Sequence, residues 1–118
     1  MKLIDTSVLI DNIRKGSYEE GSISIITLIE VLRGVSLRKR SRVKQLLEEI
    51  FDILNIDNKA ILKYCDLYTL LKRKGQLIPD TDLLIAATAI VNDLVLVTKD
   101  KDFERVKELG LKLELRKE

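Results

Sequence analysis

Four carboxylates in apolar surroundings are the residues of this chain best suited to chemistry. They are Asp5, Glu30, Asp82 and Asp100, in the segments LIDTS, ITLIEVLRG, DTDLLIAATA and LVLVTKD. Each is predicted to lie where a strand or loop passes into a helix. Carboxylates gathered at one edge of a sheet would repel one another unless a cation lay among them. Because hard divalent cations prefer oxygen ligands of this kind, the pattern predicts a carboxylate-and-metal site.

The amino-acid composition excludes several classes of catalytic and metal site. The chain has no histidine, which excludes imidazole acid–base catalysis, Ser–His–Asp triads and His-ligated zinc. Its 118 residues, 46% of them apolar, suit one domain with a single core. The lone Cys65 cannot form an internal disulfide, and we expect it to be a buried, inert thiol. Asp5 lies too near the start for a signal peptide, and no apolar run could span a bilayer, so we expect a cytoplasmic protein without a membrane partner.

Predicted strands alternate with predicted helices along the chain. Strands are expected over residues 2–5, 22–25, 53–56, 94–97 and 111–115. Helices are expected over residues 7–14, from 27 to an interruption at 34, and over 36–52, 58–74, 80–92 and 101–109. This alternation predicts a single α/β domain over residues 1–118 with a mostly parallel sheet. Ligand sites of such folds gather at the carboxyl ends of the strands, where Asp5 would lie.

Helix capping is the competing explanation for the first two acids. Asp5 is a good N-cap type, but Thr6 and Ser7 could cap the same helix, which favours a functional Asp5. Thr27 and Glu30 fit a capping box, in which the glutamate reaches back to the start of the helix. Apolar neighbours leave Glu30 little polar surface, so capping and metal binding are equally supported there.

The other two acids each have a competing aspartate two residues away. Asp80 and Asp82 would lie about 200° apart on a helix. Asp82 is in line with Ile85 on the stripe that faces the core, so we assign it to the site, with Asp80 as the N-cap. Asp100 is nearer the strand end than Asp102 and is the preferred fourth acid. Three hydroxyl residues could orient a water or a carboxylate: Ser7, Thr27 and Thr98.

Positive charge is concentrated in the middle of the chain. Residues 35–75 hold ten basic and five acidic side chains, a balance of +5, against −1 for residues 1–34 and −2 for residues 76–118. The densest run contains Arg38, Lys39, Arg40, Arg42 and Lys44. Such a run is typical of a solvated helix face, but it would also suit a polyanion lying over an acidic centre.

Together, the segments LIDTSVLID, ITLIEVLRG, DTDLLIAATA and LVLVTKDKDF resemble the signature blocks of PIN-domain ribonucleases, in the same order over residues 3–103. They are most similar to the compact VapC-type toxins of prokaryotic toxin–antitoxin modules. The resemblance implies a three-layer α/β/α fold with a parallel sheet. It maps the metal-binding acids onto Asp5, Glu30, Asp82 and Asp100, with Asp102 able to replace or assist Asp100. Ser7 and Thr98 map onto polar neighbours of the site.

The same resemblance implies Mg²⁺ or Mn²⁺ as cofactor, RNA as substrate, a homodimer and inhibition by a cognate antitoxin. The basic segment 38–44 could then hold the RNA backbone, with Arg33 approaching the rim of the site. Two other functions stay open at this point. A phosphoacceptor domain also uses a strand-end aspartate, although it needs an adjacent acidic pair that is missing beside Asp5. A catalytically idle PIN-like module could serve only to bind protein or RNA.

Overall fold

The computed structural model describes residues 1–117, which form five strands and six α-helices. The strands are β1 (Lys2–Ile4), β2 (Ser22–Ser24), β3 (Asp52–Leu54), β4 (Val95–Thr98) and β5 (Lys112–Leu115). The helices are α1 (Thr6–Arg14), α2 (Ile25–Arg33), α3 (Arg40–Ile50), α4 (Asn58–Arg73), α5 (Asp80–Val91) and α6 (Glu104–Lys107). Short 3₁₀ helices at Leu37–Lys39 and Lys101–Phe103 precede α3 and α6.

The sheet has the strand order β3-β2-β1-β4-β5, and every neighbouring pair is parallel. From β1 the chain builds outward to β2 and β3, and it then returns to add β4 and β5 on the other side of β1. The order therefore reverses between β1 and β4, where Leu3 pairs with Leu96. Ligands bind at such a reversal, outside the carboxyl ends of the strands. The residues that follow β1 and β4 are consequently placed to form a site.

Two apolar cores, one on each face of the sheet, hold the helices in place. Successive side chains of a strand point to opposite faces. Leu3 and Leu96 accordingly belong to the core beneath α4 and α5, whereas Ile4 and Val97 belong to the core that includes residues of α1, α2 and α3. All four side chains are fully buried. The predicted three-layer α/β/α architecture is confirmed.

The start of α2, the N-cap of α5 and the exposure of Cys65 differ from the predictions. Helix α2 begins two residues early, because Ser24 Oγ accepts a hydrogen bond from Ile26 N (3.0 Å) and caps it. The capping box at Thr27 was therefore wrong. Pro79, not Asp80, occupies the N-cap position of α5. Cys65 is exposed on α4, so its predicted burial was also wrong.

Two helices predicted as uniformly α-helical begin with a 3₁₀ turn that runs without a gap into the α-helix. Residues 36–52 divide into the 3₁₀ helix Leu37–Lys39 and α3, and residues 101–109 divide into Lys101–Phe103 and the short α6. Phe103 is fully buried in the core beneath the second of these turns, and it fixes the turn that follows Asp100. No helix within residues 1–117 is long and apolar enough to cross a membrane.

Candidate active site

Asp5 is held rigidly at the carboxyl end of β1. Its backbone N–H donates to Val97 O (2.9 Å), which extends the β1–β4 pairing by one residue. Its Oδ2 atom accepts hydrogen bonds from Thr98 Oγ1 (2.6 Å) and Ser7 Oγ (3.1 Å). Although Asp5 occupies the N-cap position of α1, its side chain makes no capping hydrogen bond. Hydroxyl groups thus orient the buried carboxylate, and it does not cap the helix.

Asp100 is connected to Asp5 through Thr98. The Asp100 backbone N–H donates to Thr98 Oγ1 (3.0 Å), and Asp100 Oδ1 accepts from the Asp102 backbone N–H (2.9 Å). Asp102 thus supports Asp100 through its amide. Its own carboxylate lies 3.7 Å from the Arg105 guanidinium. This geometry favours Asp100 over Asp102 as the acid that faces the site.

Glu30 enters the site from the second turn of α2. Because the helix begins at Ile25, Glu30 is its sixth residue and cannot reach back to its start. Instead Glu30 Oε1 accepts a hydrogen bond from Thr6 Oγ1 (2.7 Å), and Thr6 Oγ1 also lies 3.0 Å from Thr27 Oγ1. The sequence pattern suggested Thr6 only as a possible helix cap and did not predict this contact. Its position directly after Asp5 was the available signal.

Asp82 and Asp80 point in different directions from the start of α5. Asp80 Oδ1 accepts a hydrogen bond from Tyr64 Oη on α4 (2.6 Å), and this contact raises the pKa of Tyr64 to about 12. Asp80 therefore joins two helices. Asp82, the third residue of α5, is half-buried and interacts electrostatically with the acids of the site.

The electrostatic environment of Asp82 includes the other three predicted acids. Burial, followed by the charges of Asp5, Asp100, Glu30 and Asp102 in decreasing order, raises the pKa of Asp82 to about 7. The pKa of Asp5 is also raised, chiefly by burial, although its hydroxyl partners oppose the shift. Asp102 contributes least to the Asp82 shift, which agrees with its contact to Arg105. Carboxyl groups such as Asp5 and Asp82, whose pKa values are raised by burial and by neighbouring acids, are typical of functional sites.

Oxygen atoms are left available on the acids for a further ligand. The hydroxyl bonds to Asp5 use only Oδ2, the Asp102 amide uses only Oδ1 of Asp100, and Thr6 uses only Oε1 of Glu30. Among residues 1–117, no group of three acidic side chains is arranged to hold a metal ion directly. A shared cation would therefore require the carboxylates to rotate toward one another.

Among the predicted basic residues, Arg33 contacts one of the four acids. An Arg33 guanidinium nitrogen is 3.8 Å from Glu30 Oε2, and its side chain is 72% exposed at the rim. Arg38, Lys39 and Arg42 are exposed at the start of the α3 region. Arg40 is partly engaged, because its Nε donates to Val35 O (3.1 Å).

Comparison with known proteins gives the same family throughout. The PIN domain profile matches residues 2–109. Ribonuclease VapC1 of Methanocaldococcus jannaschii is 47% identical over 115 residues, covering 94% of this chain and 85% of the relative. Ribonuclease VapC2 of Rickettsia felis is 38% identical over 95 residues, covering 76% and 71%. In the crystal structure of VapBC2 from Rickettsia felis bound to a promoter DNA fragment, one chain matches with a TM-score of 0.83, 26% identity and 98% coverage of both chains.

The raised pKa of Asp82 predicts how stability depends on pH. The ordinary pKa of this carboxyl is 3.8 and the folded value is about 7, so between these values the folded state binds more protons than the unfolded state. The free energy of unfolding should therefore fall as pH rises from about 4 to 7 in EDTA. Asp82→Asn should reduce this decline and raise the melting temperature at pH 8 by a few degrees.

The matched control is Asp80→Asn, since Asp80 bonds to Tyr64 instead of joining the acidic group. It should leave the pH dependence of the melting temperature unchanged. Equal pH dependence in wild type and Asp82→Asn would contradict the electrostatic assignment.

Proposed function

Because this chain belongs to the PIN-domain family, and within it to the VapC ribonucleases, we propose that it hydrolyses RNA phosphodiester bonds with a divalent cation, as the toxin of a VapBC-type toxin–antitoxin pair. The observation that carries the proposal is the convergence of Asp5, Glu30, Asp82 and Asp100 at the point where the strand order reverses. Like charges brought together in a half-buried region are costly, and a cation relieves that cost.

The donor set fits Mg²⁺ or Mn²⁺. All four candidate ligands are carboxylates, and three of them keep one oxygen free of the hydrogen bonds described above. Hard divalent ions of this size accept such ligands together with water. A bound ion would supply an activated water and neutralise charge on the scissile phosphate.

The residues of the chain itself hold this arrangement in place. Thr98 and Ser7 fix the orientation of Asp5, and Thr6 fixes that of Glu30. Near neutral pH, Asp82 retains a proton on its carboxyl for part of the time until a cation takes that place. Since the chain has no histidine, no imidazole base takes part, and proton transfer falls to water and carboxylates.

The RNA strand requires cations outside the acidic centre. We propose Arg33, at the rim, and the exposed Arg38, Lys39 and Arg42 as backbone contacts. Arg40 contributes less than the sequence suggested, because its guanidinium already donates to the Val35 carbonyl. Phosphate contacts of this kind add affinity without reading sequence.

A cognate antitoxin is the proposed protein partner. The proposal is supported by the likeness to the toxin–antitoxin complex of Rickettsia felis. A positively charged antitoxin side chain that entered the acidic centre could pair with the carboxylates and displace the cation.

A homodimer is supported by apolar side chains that the sheet does not cover. Leu46 and Ile50 on α3, and Ile61 and Leu62 on α4, all remain exposed. Because α3 and α4 belong to different cores on opposite faces of the sheet, these residues form two separate patches, and an exposed apolar patch is typical of an interaction surface. We propose that one of these patches joins two copies.

The first test is metal dependence. The protein, freed of any antitoxin, should cleave mixed RNA in Mg²⁺ or Mn²⁺ and should lose this activity in EDTA, because water activation depends on the cation. Gel analysis of the products measures the rate. Full activity in EDTA would contradict the proposal.

The same assay compares how much each acid contributes to RNA cleavage. Asp5→Asn, Glu30→Gln and Asp82→Asn should each lower cleavage by more than the roughly 10–100-fold that loss of an outer partner of a metal ligand costs. Gln can still accept the Thr6 hydrogen bond, so Glu30→Gln tests charge alone. Asp80→Asn and Asp102→Asn are the matched controls and should have much smaller effects. A larger loss at Asp80 than at Asp82 would overturn the assignment of α5.

Assembly is tested in solution. Sedimentation velocity at micromolar concentration should show a dimer, and Leu62→Glu should raise its dissociation constant at least tenfold, because Leu62 is 67% exposed in the single chain and would be desolvated in the dimer. Leu37→Glu is the comparison, since Leu37 lies outside α3 and α4. A monomeric wild type would contradict the proposed dimer.

A further inference from the structure

An open cleft of about 880 Å³ lies beside the acidic centre, between the loop after β4 and the C-terminal segment that follows β5. We name it the β4–β5 cleft. Ser7 and Asp100 form part of its wall. Ser7 is also a hydrogen-bond donor to Asp5. A molecule in the β4–β5 cleft would therefore lie directly against the candidate metal ligands.

The lining of the β4–β5 cleft is predominantly basic. Its four cationic residues are Lys99, Lys101, Arg116 and Lys117. Apart from Ser7 and Asp100, the remaining described lining residue is Leu115, so no aromatic platform for a base is present among them. Its volume falls in the range of ligand-binding clefts. Positive charge without stacking surface suits a phosphate chain better than a nucleobase.

Two of the four cations build the walls of the cleft. The Arg116 guanidinium pairs with Glu19 and with Glu114, and its backbone N–H donates to Thr98 O (2.8 Å). These contacts fix the C-terminal segment beside β4. On the other wall, Lys99 Nζ lies 3.0 Å from Asp11 on α1. Their charges are largely compensated, so both residues serve mainly to shape the cleft.

The other two cations have no ion-pair partner in the part of the chain that the structure describes. They are Lys101 and Lys117, and both are exposed. An ammonium group is a compact charge that binds phosphate without a fixed geometry. The cleft thus presents two phosphate-binding groups next to a centre of negative charge.

We propose that the β4–β5 cleft binds the phosphate backbone of the RNA strand beside the scissile bond, through Lys101 and Lys117. This inference rests on the proposed function. Because β5 and β3 form opposite edges of the sheet, and α3 packs against β3, the cleft and the basic start of α3 flank the acids from different sides. A strand held at both flanks would cross the carboxylates between them.

The experiment measures binding without cleavage. Fluorescence anisotropy with a labelled single-stranded RNA, in EDTA and over a range of salt concentrations, is compared for wild type and K101Q/K117Q. Each lost phosphate contact lowers the slope of log K against log salt by about 0.7 for a single strand. The double variant should therefore lower the slope by about 1.4 and weaken binding by roughly tenfold at low salt.

The matched control is K59Q/K107Q, which removes two exposed lysines outside the β4–β5 cleft with the same change in net charge. It should leave the slope close to that of wild type. R38Q/R42Q, at the opposite flank, should add its loss to that of K101Q/K117Q, because distant sites behave independently. Equal slopes for K101Q/K117Q and K59Q/K107Q would overturn the inference.

Parallel cleavage assays separate this inference from the proposed function. If wild type cleaves RNA and K101Q/K117Q binds it normally, the cleft assignment fails and the ribonuclease stands. If no cation supports cleavage but K101Q/K117Q loses RNA binding, the ribonuclease fails and the RNA-binding cleft stands. If K101Q/K117Q weakens only antitoxin binding, the cleft is a protein site and the RNA assignment is overturned.

Discussion

Hydrogen bonding between the ends of β1 and β4 fixes the centre around which the candidate site is built. The Asp5 amide pairs with Val97, and the Asp5 carboxylate accepts the Thr98 hydroxyl. These bonds join residues more than ninety positions apart, so the site cannot exist before the sheet is complete. Because Thr98 O also accepts the Arg116 amide, the same strand end orders the C-terminal segment. Displacement of β4 would disturb the acids and the β4–β5 cleft together.

The carboxylates of the acidic centre destabilise the folded state of the protein. Burial and the neighbouring carboxylates both disfavour the charged form of Asp82, and together they raise its pKa to about 7. Hydroxyl donors offset part of the destabilisation at Asp5 and Glu30, since Thr98, Ser7 and Thr6 each stabilise negative charge on a carboxylate oxygen. These three hydroxyl groups do not contact Asp82, so they do not offset the burial and repulsion that raise its pKa. A cation that binds only the folded chain would restore this stability, so the same charges that destabilise the fold would favour cation binding.

The sequence predicted those features that depend on periodicity. The alternation of predicted strands with predicted helices identified the parallel α/β fold, and the position of Asp82 in line with Ile85 predicted which acid of α5 faces the site. Predictions that depended on local capping did less well, because the competing caps differ by only about 1 kcal/mol and tertiary contacts decide between them. Ser24 displaced Thr27 as the cap of α2, which moved Glu30 from the third helical position to the sixth. That shift leaves Glu30 free to accept the Thr6 hydroxyl.

Residues that act through distant partners could not be identified from spacing. Thr6 contacts a glutamate on another helix, and Arg116 pairs with Glu19 nearly a hundred residues away. The basic run at the start of α3 was conspicuous because its charges are consecutive, whereas Lys101 and Lys117 meet only because β5 returns beside β4. A small net charge of +2 thus conceals a basic run at the start of α3 and a basic lining of the β4–β5 cleft, the two proposed flanks of the acidic centre. For a polyanionic substrate, this distribution of charge matters more than the total, because attraction at the flanks must exceed repulsion by the carboxylates between them.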